Sequence, residues 1–316
     1  MSSQSYDILV AGELNVDIIV RGDVRPEFGQ VEKLVDDLSV YAGSSGGIFA
    51  ASAARMGMHV LYVSRVGDDL FGHFALERLK KAGVDTSRVQ IDPTTKTGAS
   101  IALSTGVDRA MLTYLGSIAA VTADDVDPTC YELARHLHVV SPFLLKELRP
   151  MMPQMMRAAK GAGMTVSLDT NWDPTQRWEL EGFFDHLDIF LPNEQEVQAI
   201  TGRKSLEPAM SEMADRVPLL AVKRGVKGAL AIHKHRRVDV PAFPVKAIDT
   251  TGAGDSFDGG FVAAWLKGEP LERCLSFGAA CGAMTTTALG GFNGQPIWEE
   301  ALELIENSSE GRSLRR

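Results

Sequence analysis

Residues 249–257 read Asp249-Thr250-Thr251-Gly252-Ala253-Gly254-Asp255-Ser256-Phe257, and Gly259-Gly260-Phe261 with an apolar run to Leu266 follow directly. Small residues just before a helix leave several backbone N–H groups unpaired and pointing outward, and the helix dipole adds partial positive charge at the same place. The stretch therefore predicts an anion hole at Gly252, Ala253 and Gly254. Asp255, in the first turn, is positioned to accept a proton from a hydroxyl held beside a bound phosphate. Gly-Ala-Gly-Asp alone is equally an ordinary helix start, in which glycines turn the chain and an acid favours the dipole. The nine-residue string with its Gly-Gly-Phe continuation is far more specific.

Upstream of this stretch, β-branched apolar runs alternate with helical patterns. Strands are predicted at Ile8 to Ala11, Val60 to Ser64, His138 to Ser141, Thr165 to Leu168, Ile189 to Leu191 and Leu219 to Val222, while Phe71, Phe74, Ala75 and Leu79 share one helical face. Strands separated by helices imply an α/β fold with a central, mostly parallel sheet flanked by helices on both faces. Such sheets bind ligands at the carboxyl ends of their strands. Two stretches break the rhythm, about 17–41 and 96–115; they predict a small β lid, with a turn at Thr105-Gly106-Val107-Asp108. With no linker and no internal repeat, residues 1–306 are expected to form a single domain and the polar tail 307–316 to be disordered.

Composition narrows the function. Of 316 residues, 32 are Lys or Arg and 41 Asp or Glu, a net charge of −9. That balance repels phosphate backbones and anionic lipid surfaces, so no nucleic acid and no membrane partner is expected. The basic cluster Lys234 to Arg237 reads as a solvated hairpin turn. Cys274 to Trp298 is uncharged and long enough to span a bilayer, but its glycines and threonines point to a buried helix leading into a glycine-rich loop. Three cysteines, Cys130, Cys274 and Cys281, have no CxxC or Cys/His ligand spacing, and the N-terminus lacks a signal-peptide pattern; a reducing, cytoplasmic setting is expected. The paired histidines His136/His138 and His233/His235 are expected at the surface or an interface. No Gly-Lys dipeptide exists for a P-loop, no GxGxxG opens the first helix, and no HExxH is present.

Asn15 and Asp17, with period-2 spacing at a strand end, place an amide and a carboxylate on one face, suited to gripping adjacent sugar hydroxyls. Taken alone, the pair is better read as decorating an exposed face. Asn193 with Glu196 three residues on approximates a capping box and needs no ligand to explain it.

The chain resembles the PfkB, or ribokinase-like, family of carbohydrate and nucleoside kinases. The family's C-terminal signature is the quoted stretch; its N-terminal element appears as Gly12-Glu13-Leu14-Asn15-Val16-Asp17, its Asn-x-x-Glu as Asn193-Glu194-Gln195-Glu196, and its Gly-Asp-Asp-x-Phe-Gly as Gly67 to Gly72. The resemblance spans residue 7 to about 300. It implies ATP-dependent phosphorylation of a hydroxyl on a small neutral sugar, with Asp255 as catalytic base, the loop Gly252, Ala253 and Gly254 binding phosphates, and Asp17 holding the sugar. It further implies Mg²⁺ organised through Asn193 and Glu196, often through water. Nucleotide contacts are implied at Lys223, Gly225, Gly228 and Thr251, and a monovalent cation such as K⁺ near Asp249 and Thr251. Gly43 and Ser44 match the second glycine motif, though Ser44 replaces its second glycine and Ile48 its Asn. Asn171 lies in Asp169-Thr170-Asn171-Trp172-Asp173, where Asp173 replaces an Arg of related members; losing that cation disfavours an acidic sugar. Arg109 in the lid could still pair with an anion. A homodimer through the lid is also implied. A nucleoside kinase, with Tyr41 or Tyr114 stacking a base, and a catalytically silent sugar or nucleotide sensor remain as alternatives.

Overall fold

In the computed structural model, residues 5–105 and 109–313 are described, apart from the side chains of Arg109 and of residues 309–313. The strands are β1 (Tyr6–Ala11), β2 (Asn15–Arg21), β3 (Asp37–Ala42), β4 (Val60–Gly67), β5 (Asp85–Asp92), β6 (Gly98–Ser104), β7 (Arg109–Tyr114), β8 (Ala134–Val140), β9 (Thr165–Asp169), β10 (Ile189–Phe190), β11 (Leu219–Lys223), β12 (Ala229–His233) and β13 (Arg236–Val240). The helices are α1 (Ser45–Arg55), α2 (Leu70–Lys81), α3 (Ser117–Ala120), α4 (Cys130–Leu133), α5 (Met152–Gly161), α6 (Glu194–Thr201), α7 (Leu206–Ala214), α8 (Ala253–Leu266), α9 (Leu271–Thr285) and α10 (Trp298–Ser313).

The main sheet has the order β13-β12-β11-β10-β9-β8-β1-β4-β5. It is parallel from β11 to β5, and the hairpin β12–β13 closes one edge antiparallel. Alternate residues of each parallel strand enter opposite layers, as the period of two requires. Ile8 and Val10 pack in a core with Phe49 of α1, Phe261 of α8 and Phe277 of α9. Their neighbours Leu9 and Ala11 pack in a second core with Met155 and Met156 of α5 and Met213 of α7. The basic cluster does form a hairpin: Lys234 and His235 turn with φ of 49° and 63°, while Arg236 and Arg237 already belong to β13.

The histidines of β8 depart from expectation. His136 and His138 are fully buried, because their strand is covered on both faces. Hydroxyls satisfy both ring nitrogens of His136, the Thr165 Oγ1 at 2.8 Å and the Ser167 Oγ at 2.7 Å, while His138 meets that same Oγ through Nδ1 at 2.8 Å and its buried Nε2 has no hydrogen-bond partner. The His138 ring also stacks on Phe49 at 3.6 Å. Burial pushes the His138 imidazole down to about 3.

The second sheet, order β3-β2-β6-β7, accounts for the two stretches that broke the strand–helix rhythm. Its register gives it two unlike faces. On one, Asp17, Ser100 and Thr113 form a polar row beside the apolar row Ile19, Ala102 and Met111; on the other, Val40, Ile18, Ile101 and Leu112 lie side by side. The turn residues 106–108 lie outside the described residues. The tail expected to be disordered from 307 is instead helical through Ser313, continuing α10, and residues 314–316 are outside the described set. No helix among the described residues is long and apolar enough to cross a membrane; the uncharged stretch 274–298 divides into α9 and the loop after it.

Candidate active site

The carboxyl ends of five parallel strands meet the start of α8 at one edge of the main sheet, where such folds collect their ligands. Glu13 and Asn15 follow β1, Ser141 follows β8, Asn171 follows β9, Asn193 follows β10, and Lys223 ends β11. The inner face of the small sheet covers this edge, enclosing a cleft of about 270 Å³ lined in part by Asn15, Asp17, Ser44, Asn171, Gly252 and Asp255.

Asn15 and Asp17 are the first and third residues of β2, in the small sheet, rather than the end of β1. Their shared face is as expected. Asn15 Nδ2 lies 3.5 Å from the Asp17 carboxylate, and Leu14 and Val16 turn into the core. Gly43 backs this pair: a Cβ there would fall 2.5 Å from Asp17 Oδ1, so any side chain at 43 would displace the carboxylate. Ser44 keeps the backbone its glycine-like position demands, with φ of 84°, and its hydroxyl caps α1 by accepting from Gly47 N at 2.8 Å. Ile48, where a polar residue was missed, packs instead against Gly252 and Gly291.

α8 begins with Gly252 in the left-handed region, φ 73°, and no side chain caps it. A Cβ at 252 would approach Gly291 Cα to 2.7 Å, so both its conformation and its neighbour require glycine. The helix start is left without a side-chain cap, as an anion hole would require. Asp255 sits in its first turn. Burial pushes its carboxyl up to about 6, with Asp169 adding to the rise and Lys223 opposing it. Asp249 and Thr251 come together, but on one another: the Asp249 carboxylate accepts from Thr251 N at 3.0 Å, from its hydroxyl at 2.8 Å and from Gly290 N at 3.0 Å. The pair ties the entry of α8 to the loop after α9.

Lys223 points inward. Its side chain is 12% exposed, with Nζ 2.7 Å from Asp169 and 2.9 Å from Asp258. Burial disfavours the charge on Asp169, yet the Lys223 charge together with hydrogen bonds from Asp258, Lys223 and the Asn171 N–H holds its carboxyl below the usual range. Burial raises the Asp258 carboxyl well above its own range, with Lys223 opposing the rise and Asp169 adding to it. Gly225 and Gly228 bracket the single turn after β11. Asn193 and Glu196 form a complete capping box: Asn193 N donates to Glu196 Oε2 at 2.8 Å, and Glu196 N to Asn193 Oδ1 at 2.9 Å. Burial, then the Asp169 charge, raises the Glu196 carboxyl.

Other expected residues separate from the cleft. The Arg109 side chain lies outside the described residues. Asp173 is buried and organises its own loop, accepting from the N–H groups of Thr175, Arg177 and Trp178. Tyr41 packs at Gly290 and Tyr114 at Gly116; neither lines the cleft, and no aromatic residue does so among the described residues.

A family model described as pfkB family carbohydrate kinase matches residues 6–298. The chain belongs to the pfkB family of carbohydrate kinases. Relatives of this pfkB kinase include an ATP-dependent ribose-1-phosphate kinase of Halopiger xanaduensis, 33% identical and covering 88% of this chain and 91% of that protein. The ribokinase of Bacillus subtilis is 27% identical over 95% of this chain and 99% of its own length. Among solved structures, a putative ribokinase II from E. coli in complex with ATP and Mg²⁺ superposes with a TM-score of 0.84 at 25% identity, covering 96% of this chain and 99% of that one. The fold is therefore ribokinase-like, and the enzyme is an ATP- and Mg²⁺-dependent sugar kinase.

Sequence reasoning did not single out several residues of this pfkB kinase's site. Glu13, Ser45 and Ser141 line or support the cleft, and Asp169 and Asp258 flank Lys223. A carboxylate embedded in the apolar run Ile8 to Val16 was the available signal for Glu13.

Proposed function

We propose that this kinase phosphorylates a hydroxyl of a small neutral sugar held by Asn15, Asp17 and Asn171, with Asp255 taking the proton at the uncapped start of α8. The observation carrying this reading is the lining of the cleft: carboxylates and amides converge on it, and no Lys or Arg is among the described residues that line it. Among the described residues, a phosphate on the sugar would find carboxylates rather than a cation. Bound ATP supplies the phosphoryl group and Mg²⁺ offsets its charge, so the protein contributes mainly positioning and charge stabilisation. A coupled ADP-release assay over D-ribose, D-fructose, 2-deoxy-D-ribose and ribose 1-phosphate tests the reading. Turnover of a free sugar is expected; exclusive turnover of ribose 1-phosphate would overturn it.

Asp17→Ala is expected to raise the sugar KM at least tenfold, because a hydrogen bond to a charged group is worth about 1.5–3 kcal/mol. The ATP KM should stay within about twofold, a difference too small to correspond to one lost hydrogen bond. Unchanged sugar affinity would remove Asp17 from the site.

Asn193 and Glu196 fit a Mg²⁺ site reached through water: the capping box engages only Oε2 of Glu196, at the end of the strand that faces the cleft, and Mg²⁺ keeps most of its waters. Glu196→Gln should raise the Mg²⁺ concentration needed for half-maximal rate. Were Glu196 only a cap, Gln would fill the same place in the capping box and the variant would keep both its stability and its Mg²⁺ dependence.

The outer face of the small sheet supports a homodimer. Leu38 is 60% exposed and Leu112 60% exposed on that face, an apolar surface of the kind that marks association. A monomer in sedimentation velocity at micromolar concentration would rule the dimer out. A cytoplasmic location is supported by Cys130, Cys274 and Cys281, all buried free thiols; recovery of the activity in the exported fraction of cells would oppose it.

A further inference from the structure

Glu13 is 2% exposed, and three segments of the chain are fastened to it. Its Oε1 accepts from Ser45 N, at the start of α1, at 3.0 Å, and from the Ser141 hydroxyl, at the end of β8, at 3.0 Å. Its backbone carbonyl accepts from the hydroxyls of Ser44 and Tyr62. The Ser141 hydroxyl in turn accepts from Asn171 Nδ2 at 3.2 Å, which extends the network to the end of β9. Ser44, Ser141 and Asn171 all hold positive φ, at 84°, 48° and 51°. Such backbone persists in residues other than glycine only where the surroundings over-determine it, and it gathers at functional sites.

The other carboxylate oxygen, Oε2, is buried and has no hydrogen-bond partner. Leaving a buried carboxylate oxygen unpaired is costly, and each such case in a native fold calls for a reason. Glu13 lines the cleft together with Asp17, Asn171 and Asp255. Resting on the reading of this cleft as the sugar site, we propose that Glu13 is a specificity-determining residue, bonding a sugar hydroxyl through Oε2 while fixing Asn171 through Oε1 and Ser141. A hydroxyl both donates and accepts, so it satisfies Oε2 whether the carboxyl is ionised or protonated. This matters because burial pushes that carboxyl up to about 7. An anionic substituent at the same point would be repelled by the ionised form, so the residue selects a hydroxyl there and rejects a phosphate or carboxylate.

Glu13→Gln and Glu13→Ala, assayed with D-ribose and D-fructose at saturating ATP·Mg²⁺, separate this role from a structural one. Charge-assisted hydrogen bonds are roughly twice as strong as neutral ones, so Glu13→Gln should raise the sugar KM by about tenfold. Glu13→Ala should raise it by roughly 100-fold, the scale of a whole hydrogen bond to a charged group. The ATP KM and the melting temperature of the Gln variant should stay close to wild type. A Glu13 that only braces loops predicts the opposite pattern, a lower melting temperature with both KM values and kcat moving together; that result, or an unchanged sugar KM in Glu13→Gln, overturns the inference alone. If the wild-type enzyme turned over neither sugar nor any other neutral one, the reading of the cleft would fall, and the inference with it. Should the Ala variant not fold, the Gln variant decides, since its amide oxygen can still accept from Ser45 and Ser141.

Discussion

Asp255→Asn is expected to lose between about 10² and 10⁴ in kcat, the usual contribution of a positioned general base. ATP affinity should hold or tighten slightly, because the change removes a negative charge beside the anion hole and keeps the size of the side chain. Proton linkage supplies a second readout. The Asp255 carboxyl is raised to about 6 from 3.8, so between those pH values the folded state binds a proton that the unfolded state does not. Ionising Asp255 therefore costs stability as pH rises, and the Asn variant should melt no lower than wild type at pH 7. As a base, Asp255 acts only when ionised, so wild-type kcat/KM should fall about tenfold per pH unit below 6, and this acid limb should vanish in the residual activity of the variant. Full activity in Asp255→Asn, or a lower melting temperature with normal kcat, would refute the role.

Lys223→Met is expected to cost about 3–5 kcal/mol of stability, the range for removing one partner from a buried ion pair. The variant leaves Asp169, 2% exposed, as an unpaired charge facing the raised carboxyls of Asp255 and Glu196. A urea midpoint measured at pH 7 reads this directly. Adding Asp169→Asn should restore much of the loss, because it removes the orphaned charge. The electrostatic consequence runs the same way: Lys223 lowers the Asp255 carboxyl, so its removal should move the acid limb of kcat/KM to higher pH. A nucleotide-binding Lys223 would instead give a raised ATP KM with stability preserved, and that outcome would overturn the structural role.

Much of the fold was legible because it depends on local periodicity. Alternating β-branched runs and helical faces identified the parallel strands, and the interruptions at 17–41 and 96–115 marked the second sheet. Of the strands missed, β5 and β13 are the two edges of the main sheet, where burial leaves a weaker pattern, and β12 is a short strand of five residues beside β13. In the site, the glycine-rich entry to α8 was legible because backbone geometry dictates its residue types. The buried ion pairs of Lys223 were not legible because its partners lie 54 residues before it and 35 after it. Glu13 escaped for the same reason, since its partner Ser141 is 128 residues away. His136 and His138 looked like surface residues because their alternation does not reveal that both faces of β8 are covered.

The meeting of α1 with α8 and the loop before α10 has a consequence for the order in which the enzyme is made. Ser52 donates to the Ser256 carbonyl, Arg55 to the Gln295 carbonyl, and Gln295 to the Ile48 carbonyl, spans of 204, 240 and 247 residues. Loop closures of that length must precede the contacts that reward them. A nascent chain still short of residue 253 thus carries α1 without these partners and β2, with Asn15 and Asp17, without the helix that bears Asp255. Synthesis delivers the two sides of the cleft at opposite ends of translation.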